Sequence, residues 1–130
     1  MERLVTMQQL GFVLTVTLAM ALPVAAEPGV CEVAGSDHGV VQGRLGLLQG
    51  LGPSAFIVAV PGGMCLSGPQ PTDNVDRVLT VQLYSQTAEG FQELYRLVGQ
   101  KVYVRGKLSA GGTFQQKAPV IMEVIEIATN

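Results

Sequence analysis

At 130 residues, with 8 Lys+Arg against 10 Asp+Glu, one His, two Cys and no Trp, the chain is long enough for one domain and too short for two. A hydrophobic fraction of 48% with 14% charge excludes intrinsic disorder. The net charge of −2 argues against a dedicated nucleic-acid binder, which carries a basic excess. Sixteen Gly and seven Pro favour short strands and many turns over a helix bundle.

The N-terminal segment reads as an address. Arg3 and the free amine give a weakly positive start, Leu10 to Leu22 is an uncharged apolar run, and Pro23 breaks it. Val24-Ala25-Ala26 places small residues for cleavage before Glu27, so 1–26 is expected to be a secretory signal peptide and 27–130 a single domain. The apolar run is shorter than the ~20 residues that span a bilayer, so no stable membrane insertion is expected after cleavage. The expected location is the periplasm or the exterior. In such an oxidising compartment Cys31 and Cys65 read as one disulfide. A thiolate metal site would need more ligands than His38 can add, and a redox pair favours the closer Cys-x-x-Cys spacing.

Along the mature chain the period is mostly two. Val40 to Leu48 alternates, with Val41, Leu45 and Leu47 expected to face a core and Gly43 and Gly46 expected to allow a strong bend. Ala55 to Val60 is a short apolar run suited to a buried strand, interrupted by Pro61-Gly62-Gly63 and continued from Met64 to Ser67. Gly68 to Asn74 is a loop, and Arg77 to Tyr84 is a strand rich in β-branched residues. Phe91, Leu94, Tyr95 and Val98 fall on one helical stripe, with Ser85 or Thr87 to cap its start and Gly99 its end. Lys101 to Leu108 and Pro119 to Ile127 are the last strands, joined by a Gly-rich turn at Ser109 to Thr113. Five strands over about 40–127, with one helix between the third and fourth, predict a mainly β protein. The specific expectation is a small OB-fold-like Greek-key barrel.

Three segments carry a resemblance. Phe56 to Gly68 is similar to a strand with a Pro-Ile-Cys-Val type motif. Leu94 to Leu108 is similar to a Leu-Val-Gly-x-x-Val-x-Val-x-Gly signature, and Ala118 to Met122 to a terminal Pro-Val-Leu strand. Together they resemble a family of exported bacterial domains of unknown function with OB-like architecture, over Cys31 to about Ile127. The resemblance implies the same architecture and export, and Cys31 and Cys65 match the family's paired cysteines. Where the family often carries a His-rich turn before its last strand, this chain has Gln115-Gln116, so chemistry attributed to those His residues does not transfer.

No catalytic set is legible, so the protein is not expected to be an enzyme and no cofactor or metal is assigned. His38 is the only His, and the adjacent Ser36-Asp37-His38 cannot aim at one another as a triad must. Asp73 and Asp76 lack the spacing of a calcium loop and read as turn-capping residues. Glu123 and Glu126 have opposite parity and cannot converge on a regular strand without a bulge. The candidate ligand face is the outward set Lys101, Tyr103, Arg105 and Lys107, a basic stripe with one aromatic. With Val120, Met122 and Val124 turned inward, Ile121, Ile125 and Ile127 would face outward as a protein contact. The expectation is a non-enzymatic binding or accessory module of the bacterial envelope. Its partner would be an envelope protein or a cell-wall glycan, with nucleic acid not expected. The alternative is an oligosaccharide- or oligonucleotide-binding OB domain using the stripe.

Overall fold

The computed structural model describes residues 30–50, 52–111 and 116–129. The leader expected over 1–26, Phe114 and Gln115 lie outside them. The strands are β1 (Glu32–Val33), β2 (Gly39–Leu48), β3 (Ala55–Ser67), β4 (Val75–Tyr84), β5 (Lys101–Ala110) and β6 (Val120–Thr129). A single α-helix, α1 (Ala88–Leu97), joins β4 to β5, and a 3-10 turn at Pro71–Asp73 precedes β4. The described residues are mainly β, with one α-helix, in the position that the period change predicted.

Pairing follows a circuit. β2 pairs antiparallel with β3, β3 with β4, β4 parallel with β6, β6 with β5, and β5 returns to β2. β2 serves two neighbours by dividing its length, Gly39 to Arg44 lying along β5 and Arg44 to Leu48 along β3. Gly43 sits at the crossing. A Cβ there would lie 1.8 Å from the carbonyl oxygen of Ala59, so only Gly lets the two backbones approach.

Alternation drives this packing. Val41, Leu45, Val58, Val78, Val81, Leu83, Val102, Val104, Leu108, Val120 and Met122 are all buried in one cluster, and strand neighbours between them point the other way. The interruption expected at Pro61-Gly62-Gly63 is a bulge within one continuous β3. Its register against β4 shifts between Ala59 and Met64, and Gly62 and Gly63 both have φ of 78°. A second shift follows, between Met64 and Leu66, opposite Arg77, whose φ is 54°.

Two features escape the period reading. β1 is short, pairs parallel with Leu66 and Ser67 of β3, and is fastened there by the Cys31–Cys65 disulfide. The Glu32 carboxylate then accepts the backbone N–H of Val40 at 2.9 Å, occupying a donor near the start of β2. The helix also differs from its predicted stripe. Leu94 and Leu97 are buried under it, whereas Tyr95 is 57% and Val98 36% exposed. The helix starts at Ala88, where the Thr87 hydroxyl accepts Gly90 N–H at 2.9 Å, and ends at Leu97, so Val98 lies outside its last turn. Phe56 reaches up from β3 and meets Tyr95 edge-on with centroids 4.8 Å apart, so the Tyr95 ring covers Phe56 while exposing its other side.

Candidate ligand groove and the outer face of the sheet

On β5, Val102, Val104 and Leu108 are buried, and Lys101, Tyr103, Arg105 and Lys107 alternate outward. Their neighbours across the sheet change the stripe's character. Arg105 Nε donates to Glu126 Oε1 at 3.2 Å, and its NH1 group donates to the carbonyl of Asp37 at 3.0 Å. Lys107 Nζ lies 3.7 Å from the Asp37 carboxylate and stands opposite Glu123 on β6. Tyr103 sits between Gln42 and Ala128, without an aromatic neighbour in its row. At least two of the three cations are thus matched by acids, and the surface is a mixed-charge ladder.

Glu123 and Glu126 share that outer face, contrary to strict alternation. The register slips once between Arg105 and Gly106, which stand opposite Glu126 and Val124, leaving Ile125 as the extra residue. The same bulge corrects the expectation for the isoleucines. Val120 and Met122 are buried and Val124 packs on the core, but beyond the bulge Ile127 also packs on the core. Ile125 is 46% exposed and Ile121 half-buried, so no row of three isoleucines faces outward. Tyr84, opposite Glu123 across β4 and β6, donates its phenol to that carboxylate. Burial first, and then the Glu123 charge and this hydrogen bond, push the Tyr84 phenol above its ordinary range, with Lys107 pulling the other way.

The remaining candidates have ordinary partners. His38 is exposed, and its backbone N–H is accepted by the Ser36 hydroxyl at 3.1 Å, while the Asp37 carboxylate faces Lys107. Asp73 accepts the backbone N–H of Gln70 at 2.9 Å, and the Asn74 side-chain oxygen accepts that of Gly68 at 3.2 Å. Among the described residues no group of three or more His, Cys, Asp or Glu is placed to hold a metal ion, and no helix is long and apolar enough to cross a membrane.

A further feature lies on the outer face of β2, β3 and β4. An open groove of about 610 Å³ has Gly46, Leu48, Ile57 and Ala59 along its strands and Val98 at its helical end. Arg44 and Lys117 stand in its lining. Arg44 donates from its guanidinium to the carbonyl of Gly99, and the Lys117 backbone N–H is accepted by Gln82 Oε1 at 2.6 Å. The Lys117 ammonium passes beside Gly52, bringing the β5–β6 and β2–β3 connections together at one end. Among the described residues neither Arg44 nor Lys117 has a carboxylate at ion-pair distance. Lys101 stands directly across the strands from Arg44, adding a third positive charge nearby.

Of these residues only Lys101 belongs to the face that the sequence marks for a ligand, and none of the groove's lining does. The available signal was the run Ala55 to Val60, which is apolar at every position. Phe56 and Val58 fill the core, but Ile57 is half-buried and Ala59 exposed, so the surplus apolar residues form a second surface. Gly46 belongs to the same surface. A Cβ there would meet nothing nearer than the Ile57 carbonyl oxygen at 3.8 Å, so its missing side chain leaves groove volume open.

Residues 80–128 match the model of a family described as a domain of unknown function (DUF4431). That segment runs from β4 through α1 and β5 into β6, and includes Val98, Lys101 and Lys117. Neither a curated protein nor a solved structure matches the chain.

Proposed function

We propose that the protein is a non-enzymatic ligand-binding module of the bacterial envelope, exported by its N-terminal segment, with its ligand seat in the β2–β3–β4 groove. The observation that carries this reading is the groove itself. It has an apolar floor, two cations in its lining, and a volume within the ~300–1,000 Å³ of small-molecule sites. The OB-like barrel is part of the same proposal. Support comes from the circuit of five strands returning to β2, the parallel contact of β4 with β6, and a helix between the third and fourth long strands. In that architecture ligands lie across the second and third strands between the two flanking connections, which is where Gly52 and Lys117 meet. The Cys31–Cys65 disulfide and the apolar leader both suit export.

The β5 stripe supports the oligonucleotide or oligosaccharide alternative less well. Arg105 and Lys107 already face acids, and Tyr103 has no stacking companion in its row.

The test is a thermal-shift panel of oligosaccharides, single-stranded oligonucleotides and small amphiphiles on the oxidised protein, beside Gly46→Leu. A ligand at a hundred times its Kd adds about 2.7 kcal/mol, enough for a clear rise in midpoint. Gly46→Leu should keep the unliganded midpoint within a few degrees and remove the ligand-dependent rise. A rise that survives Gly46→Leu but is lost in Tyr103→Ala/Arg105→Ala would move the site to the stripe. Turnover of a substrate by the purified protein would overturn the non-enzymatic reading.

A further inference from the structure

Resting on the groove reading above, we infer that the groove's ligand is a monomeric anionic amphiphile, an acyl chain or similar apolar body ending in a carboxylate or phosphate. Three observations select this class.

The first is the lining. Leu48, Ile57, Ala59 and Val98 offer hydrocarbon, and the opening at Gly46 leaves space over the strand backbone. Leu48 is 48% exposed, and burying such surface against an apolar ligand is favourable in proportion to its area.

Charge is the second. Arg44 comes from β2 and Lys117 from the connection before β6, and among the described residues no acid pairs with either. Among the described residues Arg77 and Lys101 also lack an acid, while Arg96, Arg105 and Lys107 face Glu93, Glu126 and Asp37, so what sets Arg44 and Lys117 apart is that both stand in the lining of the apolar groove. Cations beside an apolar floor complement an anion joined to an apolar body.

The third observation is what the groove does not offer. Its floor strands are hydrogen-bonded to one another from Arg44/Ala59 to Leu48/Ala55 and from Phe56/Leu83 to Ala59/Thr80. No open sheet edge therefore runs along the floor for a peptide to extend as an added strand. Nor does any aromatic side chain among the described residues line it, so they offer no stacking platform of the kind that single-stranded nucleic acids use.

The probe is decanoate below its critical micelle concentration, followed by amide nitrogen–proton correlation spectra of the oxidised protein. Amides of Gly46, Ala59 and Gly99 should shift along a saturable isotherm. The neutral decyl maltoside should bind about tenfold more weakly or worse, and Lys117→Gln should weaken decanoate by about tenfold with little effect on the maltoside. Gly46→Leu should abolish both responses. Equal binding of the two amphiphiles, unchanged by Lys117→Gln but lost in Gly46→Leu, would overturn the anion inference and leave the groove reading standing. Decanoate binding that ignores Gly46→Leu would overturn both. A single-stranded oligonucleotide or an acidic peptide shifting the groove amides while decanoate does not would overturn the ligand class. Binding to phosphatidylglycerol vesicles without any response to monomeric decanoate would replace the ligand by a membrane surface.

Discussion

Arg105 and Glu126 face each other across β5 and β6 at 3.2 Å only because one residue, Ile125, is extra on β6. Without that bulge, Glu123 and Glu126 would project from opposite faces of the sheet. With it, both acids stand beside the basic stripe, and Ile127 turns back into the core. One local irregularity thus adds Glu126 to the acids beside the stripe and shortens the outward row of isoleucines.

The Arg105–Glu126 pair should matter little for stability. Its partners are partly and largely exposed, and such pairs couple by about 0.2–1 kcal/mol. A double-mutant cycle with Arg105→Ala and Glu126→Ala should return a coupling of that size, fading at about 1 M salt. A coupling above about 2 kcal/mol would mean the pair is far less hydrated than its exposure indicates.

Gly43 and Gly46, three residues apart on β2, should respond oppositely to the same substitution. A Cβ at Gly43 collides with the backbone oxygen of Ala59, and backbone cannot move aside without opening the β2–β3 ladder. Gly43→Ala should therefore cost about 2 kcal/mol or more, read by urea unfolding. Gly46→Ala meets only ordinary contact and loses unfolded-state freedom, so it should be neutral or stabilise by about 0.4–1 kcal/mol. Equal losses at the two positions would contradict the groove's openness at Gly46.

These two glycines also mark what the sequence could reveal. The strand pattern and the helix position were legible because alternation and a change of period are local signals, and the disulfide partners because the chain has two cysteines. Val102 and Val104 are buried and Lys101 to Lys107 alternate outward, as their letters indicate. Bulges were not legible: nothing in Val124-Ile125-Glu126 says which residue is extra, because that depends on the partner strand. The helix's buried face was half legible. The stripe places Leu94 inside but not Leu97; Tyr95 lies outside as the cover of Phe56, and Val98 is partly exposed because the helix ends at Leu97. The groove was least legible, since Arg44, Ile57 and Lys117 come from three separate segments that only pairing unites.

The disulfide should be worth more than any surface pair. Cys31 and Cys65 are 34 residues apart in sequence, and by the chain-entropy relation closing a loop of that size stabilises by about 4 kcal/mol. Cys31→Ser/Cys65→Ser should lower stability by roughly that amount in urea unfolding. β1 has only two ladder residues against β3, so hydrogen exchange should become fast at Ala34, whose N–H is accepted by the Ser67 carbonyl at 2.7 Å. Retained protection at Ala34 in the double variant would show that β1 holds without the covalent tie.

Tyr84 supplies a test of the polar ladder that depends on sign. Its phenol is raised above the ordinary value of about 10 by burial and by Glu123, so the folded protein holds that proton more tightly than the unfolded chain does. The stabilisation from this group is complete below about pH 10 and declines as pH rises, since the unfolded phenol ionises first. The two neighbours act in opposite directions, which separates them. Glu123→Gln removes a nearby negative charge and should move the Tyr84 titration down toward its ordinary value without reaching it, because burial remains. Lys107→Ala removes the charge that favours phenolate and should move the titration further up. Near-ultraviolet absorbance of the three tyrosines, with Tyr84→Phe to assign the late component, reads both shifts. Two variants moving the titration in the same direction would contradict the arrangement of Tyr84, Glu123 and Lys107 in one row across β4, β6 and β5.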